Sequence, residues 1–194
     1  MSQTIRPFTA LTLADVTLHP TDGLHVRLRR SKTDQEARGT VRALPYGRDP
    51  VTCPPCAYVR WRQILHAWDT AADGAGRRAV LPVLRRQAAM TVTGGEEEEE
   101  PALHCCRSTR LPDPTDPARP LFPTVHKTGA IGQQAITGHG INEMIQRRAA
   151  AAGFTPAQVD KLGGHSLRAG FVTEAFGPAR TPTPLYDKPD TTPR

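Results

Sequence analysis

The chain has 194 residues, enough for one domain with a real core, and carries 25 basic against 19 acidic side chains for a net charge of +6. No apolar run reaches the length of a bilayer span, and Met1 to Pro7 lack the apolar core of a signal peptide, so a helical membrane protein and a secreted one are both disfavoured. A cytoplasmic protein is expected, with its four cysteines held as thiols.

The charge is uneven. Residues 1–95 hold 14 basic and 7 acidic side chains, whereas residues 96–194 hold 11 and 12. A basic first half suits a polyanion, and DNA is the default candidate. Hydrophobic residues make up 38% and aromatics 5%, a lean content that leaves part of the chain outside any core.

In chain order, Phe8 to Val16 reads as the end of a helix feeding a strand. Leu24, Val26 and Leu28 then alternate with His25, Arg27 and Arg29, the period of a half-buried strand, and Thr40 to Leu44 reads as its partner. Residues 31–39 form the polar connection of that hairpin, which puts Lys32 at its tip end. Thr52 is placed to cap a helix whose first turn tolerates Pro54 and Pro55. Tyr58, Trp61, Ile64, Leu65 and Trp68 fall on one face of it as core, with Arg60 and Arg62 off that stripe.

Beyond Ala71 the expectation turns to irregular chain. Gly94, Gly95, the acidic run Glu96 to Glu100 and the Pro-rich Leu111 to Pro117 predict a disordered insertion at about 87–118. A helix is predicted from Gln134 to Ala152, with Ile141, Met144, Ile145, Ala149 and Ala152 on its stripe and Gly153 as its stop. Thr155-Pro156-Ala157-Gln158 predicts a capping box and a short helix. Gly163-Gly164 breaks the chain, and Ser166 opens a helix running to Phe176. Residues 177–194 carry five prolines and no apolar period, and are expected to be a disordered tail.

The most telling stretch is Gly164-His165-Ser166-Leu167-Arg168-Ala169-Gly170-Phe171. It sets an imidazole and a guanidinium three residues apart, on one face of a helix. Guanidinium grips two phosphate oxygens at once, and imidazole handles a proton. Upstream lie Leu24-His25-Val26-Arg27-Leu28-Arg29-Arg30-Ser31-Lys32-Thr33-Asp34-Gln35, Thr52-Cys53-Pro54 and Pro120-Leu121-Phe122. In this order the segments resemble the tyrosine-type site-specific DNA recombinases, the phage integrase family. The resemblance covers roughly residues 8–68 and 121–176.

The resemblance implies an α+β, mostly helical fold, with a small antiparallel β-hairpin sheet packed beside a helical bundle. Residues 1–176 would be a partial catalytic domain. It implies DNA integration and site-specific recombination by phosphodiester transesterification, on double-stranded DNA and with other recombinase subunits as partners. No cofactor and no metal are expected. Carried over by position, Lys32 protonates the leaving hydroxyl, His165 assists proton transfer and Arg168 clamps the phosphate, so these three are the candidate catalytic residues. Arg29, Arg30, Lys32 and Arg168 are the candidate DNA contacts.

Two family features have no counterpart in register. Arg6 lies two residues from the place of the family's first arginine. Tyr186 lies in a Pro-rich context with no helix to aim its phenol, and the family's Gly-His pair is missing. Neither Arg6 nor Tyr186 is carried over. The expectation is a truncated domain, inactive alone.

Three other readings stand beside this one. A non-catalytic DNA-binding remnant would keep the basic hairpin and the clamp without chemistry. A product that does not fold stably is another. The third rests on Cys53-Pro54-Pro55-Cys56, which has the spacing of half a zinc site that His104-Cys105-Cys106 could complete, giving a small zinc-held module. The same cysteine pair read as a thioredoxin-like redox site lacks a βαβ context.

Overall fold

A computed structural model describes residues 11–29, 39–92, 103–164 and 166–167. Among them the protein is α+β, with antiparallel sheets of three and two strands. The coarse expectation of an α+β fold with a small antiparallel sheet therefore holds.

The chain enters through a short 3₁₀ turn, Leu13–Asp15, in place of the predicted helix end. Asp15 reaches back to Thr12, whose backbone N–H and hydroxyl both donate to its Oδ2 at 2.8 and 2.9 Å. Strands β1 (Val16–His19), β2 (Gly23–Leu28) and β3 (Thr40–Leu44) follow in sheet order. Val16 pairs with Val26, and Leu28 with Thr40. Leu24 and Val26 are buried as their alternation predicts. Gly23 makes the entry to β2 possible. Its φ is +97°, and a Cβ there would lie 2.1 Å from the Leu44 carbonyl oxygen.

Helix α1 (Pro54–Asp69) crosses this sheet. Its cap residue is Cys53, one position after the predicted Thr52, and the prolines occupy the first turn where no N–H is needed. One face packs Tyr58 and Leu65 onto Leu13, Val16, Leu24, Val26, Leu121 and Ile131, with Trp61, Ile64 and Trp68 half-buried around them. The other face carries Cys56 and Val59 into a second cluster with Cys53 and Cys106. The predicted stripe of Tyr58, Trp61, Ile64, Leu65 and Trp68 therefore packs on one side as expected, and the helix has a second buried face beside it. Arg62, expected off the stripe, is buried as well. Its guanidinium donates to Tyr58 Oη at 3.1 Å and to the Pro112 carbonyl at 2.9 Å.

Helix α2 (Gly76–Val92) turns back along α1. Close approach explains Gly76, because a Cβ there would lie 2.7 Å from the Trp68 ring. Residues 93–102, with the Glu run, lie outside the described residues. The segment from 103 is packed, contrary to the expected disordered insertion. It holds the short helix α3 (Cys105–Ser108), lays Leu111 on both clusters, and ends in a bridge between Pro120 and Thr12. Arg119 is buried there, 3.0 Å from Asp69 Oδ2 through its Nε. That Nε has no aligned hydrogen bond, so the pair is held by proximity of charge, while Nη1 donates to Gln133.

Strands β4 (Pro123–Val125) and β5 (Ile131–Ala135) form a second hairpin. The helix predicted from Gln134 begins only after it. Helix α4 spans Gly138–Ala151, its Thr137 Oγ1 accepting from the Gly140 N–H at 3.1 Å. Gly153 ends it at φ +86°, as predicted. Only Ile145 of the predicted stripe is buried, and Met144 is exposed. Helix α5 (Pro156–Val159) starts with the predicted box, Gln158 accepting from the Thr155 N–H at 2.9 Å. Helical structure resumes at Gly164, Ser166 and Leu167. No helix among the described residues is long and apolar enough to cross a membrane.

Candidate functional site

Lys32, His165 and Arg168, the predicted catalytic residues, lie outside the described residues, as do Arg30, Arg6, Tyr186 and the tail 177–194. What is described is the chain next to some of them in sequence. The segment carrying Lys32 joins β2 to β3, strands held in antiparallel register up to Leu28 and Thr40. Gly163 and Gly164, immediately before His165, lie against α4, where the Gly164 N–H donates to Asn142 Oδ1 at 3.1 Å.

Arg29, at the hairpin base, is engaged inward. Its Nε donates to Asp15 Oδ1 at 2.8 Å and its Nη2 to Thr12 Oγ1 at 3.0 Å. The Asp15 carboxylate is 3% exposed, whereas the Arg29 side chain is 61% exposed. Burial pushes the Asp15 carboxyl up, but the donors of Thr12 and Arg29 outweigh it and hold its pKa below the ordinary value. Arg29 therefore fixes the hairpin base to the 3₁₀ turn with part of its fork and leaves the rest facing solvent.

A second constellation is complete within the described residues. Cys53, Cys56, His104 and Cys106 bring one donor atom each within 4.8 Å of one another. Cys53 caps α1, Cys56 sits in its first turn, His104 caps α3, and Cys106 lies in α3. The three cysteines are buried thiols. Cys56 Sγ is 3.4 Å from Cys106 Sγ and 3.5 Å from His104 Nδ1, which lies 4.0 Å from Cys106 Sγ. Cys105 points elsewhere, its Sγ 3.7 Å from the Cys56 carbonyl oxygen.

The surroundings orient this group. His104 Nε2 is 3.3 Å from the Arg48 carbonyl oxygen, an acceptor only, so Nε2 carries the proton and Nδ1 offers its lone pair to the sulfurs. Cys53 Sγ accepts from the Gly47 N–H at 3.3 Å. A Cβ at Gly47 would lie 2.7 Å from Cys53 Cα, so the loop approaches only as glycine. Burial raises the Cys56 thiol, yet donation from the Cys106 backbone and from the neighbouring thiols brings it below its usual range. Burial and the Cys56 sulfur push Cys106 up to about 12, and burial pushes Cys105 to about 11. Cys56 is thus the most readily ionised thiol of the group, and its neighbours resist losing a second proton beside it.

No metal is expected from the sequence, although His104-Cys105-Cys106 is named there as able to complete the half-site at Cys53 and Cys56. The fold brings His104 and Cys106 to that half-site and leaves Cys105 out of it. His19, Asp22 and His25 also gather at the β1–β2 turn, with Asp22 Oδ2 3.4 and 3.3 Å from the two imidazoles. Those rings are stacked, with centroids 4.7 Å apart and planes 10° apart. His19 Nδ1 already accepts from the Thr21 and Asp22 N–H groups at 3.4 and 3.3 Å, so this trio reads as a turn-closing contact with a carboxylate shared by two imidazoles.

Comparison of the chain with protein-family models, curated proteins and solved structures gives no match.

Proposed function

We propose that the chain is a DNA-binding, tyrosine-recombinase-like catalytic domain, cytoplasmic, acting on double-stranded DNA and unable to complete strand transfer alone. The observation that carries this reading is the order and pairing of its first elements. A three-stranded antiparallel sheet, whose second and third strands are joined in sequence by the segment containing Ser31-Lys32-Thr33, leads into α1, and helical structure is described at Gly164, Ser166 and Leu167, the sequence neighbours of His165 and Arg168. The inward-held Arg29 adds support, since it ties the described base of that hairpin to the 3₁₀ turn.

In this reading Arg168 neutralises the non-bridging oxygens of one phosphate through a planar fork that stays charged. Lys32 donates its ammonium proton to the leaving hydroxyl, and His165 assists proton transfer. In-line attack requires a phenol held on a helix. The chain offers Tyr186 among prolines, so binding without covalent chemistry is expected. Partner recombinase subunits would supply the rest.

The test is binding of the full chain to fluorescently labelled duplex DNA across a salt series. Binding should weaken steeply with salt, and Arg168→Ala should weaken it with a shallower salt slope. Nicked duplex should give no adduct that survives denaturation. Failure to bind at low salt, or affinity indifferent to salt, sinks the proposal.

A further inference from the structure

The sulfur cluster at the foot of α1 has no part in that DNA chemistry. We propose that Cys53, Cys56, Cys106 and His104 Nδ1 hold one zinc ion, a structural site that fastens the chain around α3 to the start of α1.

The donor set is the first argument. Three sulfurs and one imidazole make a closed tetrahedral set, the pattern of structural zinc with no open position for a substrate. Soft sulfur donors select zinc over magnesium or calcium. The second argument is geometry. Zinc–sulfur bonds of about 2.3 Å and zinc–nitrogen bonds of about 2.0 Å imply donor separations of roughly 3.6–3.8 Å around a tetrahedron. The observed separations among Cys56, Cys106 and His104, 3.4, 3.5 and 4.0 Å, bracket that range, and Cys53 Sγ lies within 4.8 Å of each of those donors, near enough for a small adjustment to close the tetrahedron.

The third argument is the outer shell. A ligating imidazole needs its other N–H held, and the Arg48 carbonyl holds it. A ligating thiolate is commonly steadied by a backbone N–H, and Gly47 supplies one to Cys53. The fourth is what α3 lacks. A four-residue helix does not stand by itself, and it rejoins α1 after a long excursion, with His104 48 residues from Cys56. A clip at that distance removes much chain freedom from the unfolded state. On binding, each thiol releases its proton to solvent and the ion remains divalent, so no redox partner is needed.

The experiment is metal analysis and cobalt substitution of the full chain, purified under reducing conditions. About one zinc per chain is expected. Cobalt added to stripped protein should give intense tetrahedral d–d bands and a sulfur-to-cobalt charge-transfer band, and zinc should erase them. Cys53→Ser, Cys56→Ser and Cys106→Ser should lose the zinc and His104→Ala should weaken its retention, while Cys105→Ser and the His19→Ala/His25→Ala double variant keep it. Where a serine variant does not fold, the cobalt spectrum of the unaltered chain decides. Protein that neither carries zinc nor gives the sulfur–cobalt band overturns the proposal. So does a mass lower by two hydrogens with Cys56 and Cys106 cross-linked, or zinc lost from Cys105→Ser and kept in Cys106→Ser.

Discussion

Helix α1 has two working faces held by different physics. One presses Tyr58 and Leu65 against the sheet, and its strength scales with the apolar area removed from water. The other presents Cys56 and Val59 to Cys53 and Cys106, where sulfur and imidazole donors gather within 4.8 Å of one another inside a smaller cluster. The first face is complete as it folds. The second becomes complete once a cation is shared among its sulfurs. One helix therefore joins a part of the fold indifferent to metal to a part that answers to it.

Leu65→Ala should break the first face most severely. Leu65 is 1% exposed, and its truncation is expected to cost about 3 kcal/mol in urea unfolding, by the same amount with or without chelator. Next is Arg119→Ala, which leaves the Asp69 carboxylate without its cation. Because Asp69 retains some solvent contact, a loss of about 2 kcal/mol is expected, again blind to chelator. Gly47→Ala belongs to the second face and should behave in the opposite way. It should lower the melting temperature of zinc-loaded protein and close the gap between loaded and stripped samples.

A pH series sharpens the same contrast. Asp15 titrates below its ordinary value in the fold, so its contribution is fully present above the unfolded carboxyl pKa of about 3.9 and fades as pH falls through the lowered folded value. Asp15→Asn should flatten that acid limb, measured by thermal unfolding between mildly acid and strongly acid buffers. The smallest effect is expected at Thr137→Ala, which removes the α4 cap for about 1 kcal/mol and should not respond to metal.

What the sequence discloses follows the range of the interaction. The β2–β3 hairpin is legible because Leu24, Val26 and Leu28 alternate locally, and the Gly153 stop and Thr155 box are local signals too. The start of α4 is misjudged because Ile131–Ala135 pair with Pro123–Val125, a partnership no helical period can exclude. The packing of 103–120 is hidden because it depends on two buried arginines, Arg62 reaching Pro112 and Arg119 reaching Asp69, in a stretch whose prolines read as disorder. Of the site, Cys53 and Cys56 announce half a metal centre by spacing, while His104 and Cys106 are chosen by the fold over Cys105. The predicted trio Lys32, His165 and Arg168 falls outside the described residues.

The glycine at the start of α2 has an optical consequence. Gly76 lets the α2 backbone lie against the Trp68 indole, while the chain's other indole, Trp61, donates its Nε1–H to the Leu121 carbonyl at 2.7 Å. Each tryptophan thus sits at a different joint of α1, one with α2 and one with the strand-bearing segment after Pro120. Fluorescence from Trp61→Phe and Trp68→Phe proteins would follow the opening of the two joints separately, with the natural side chains as reporters.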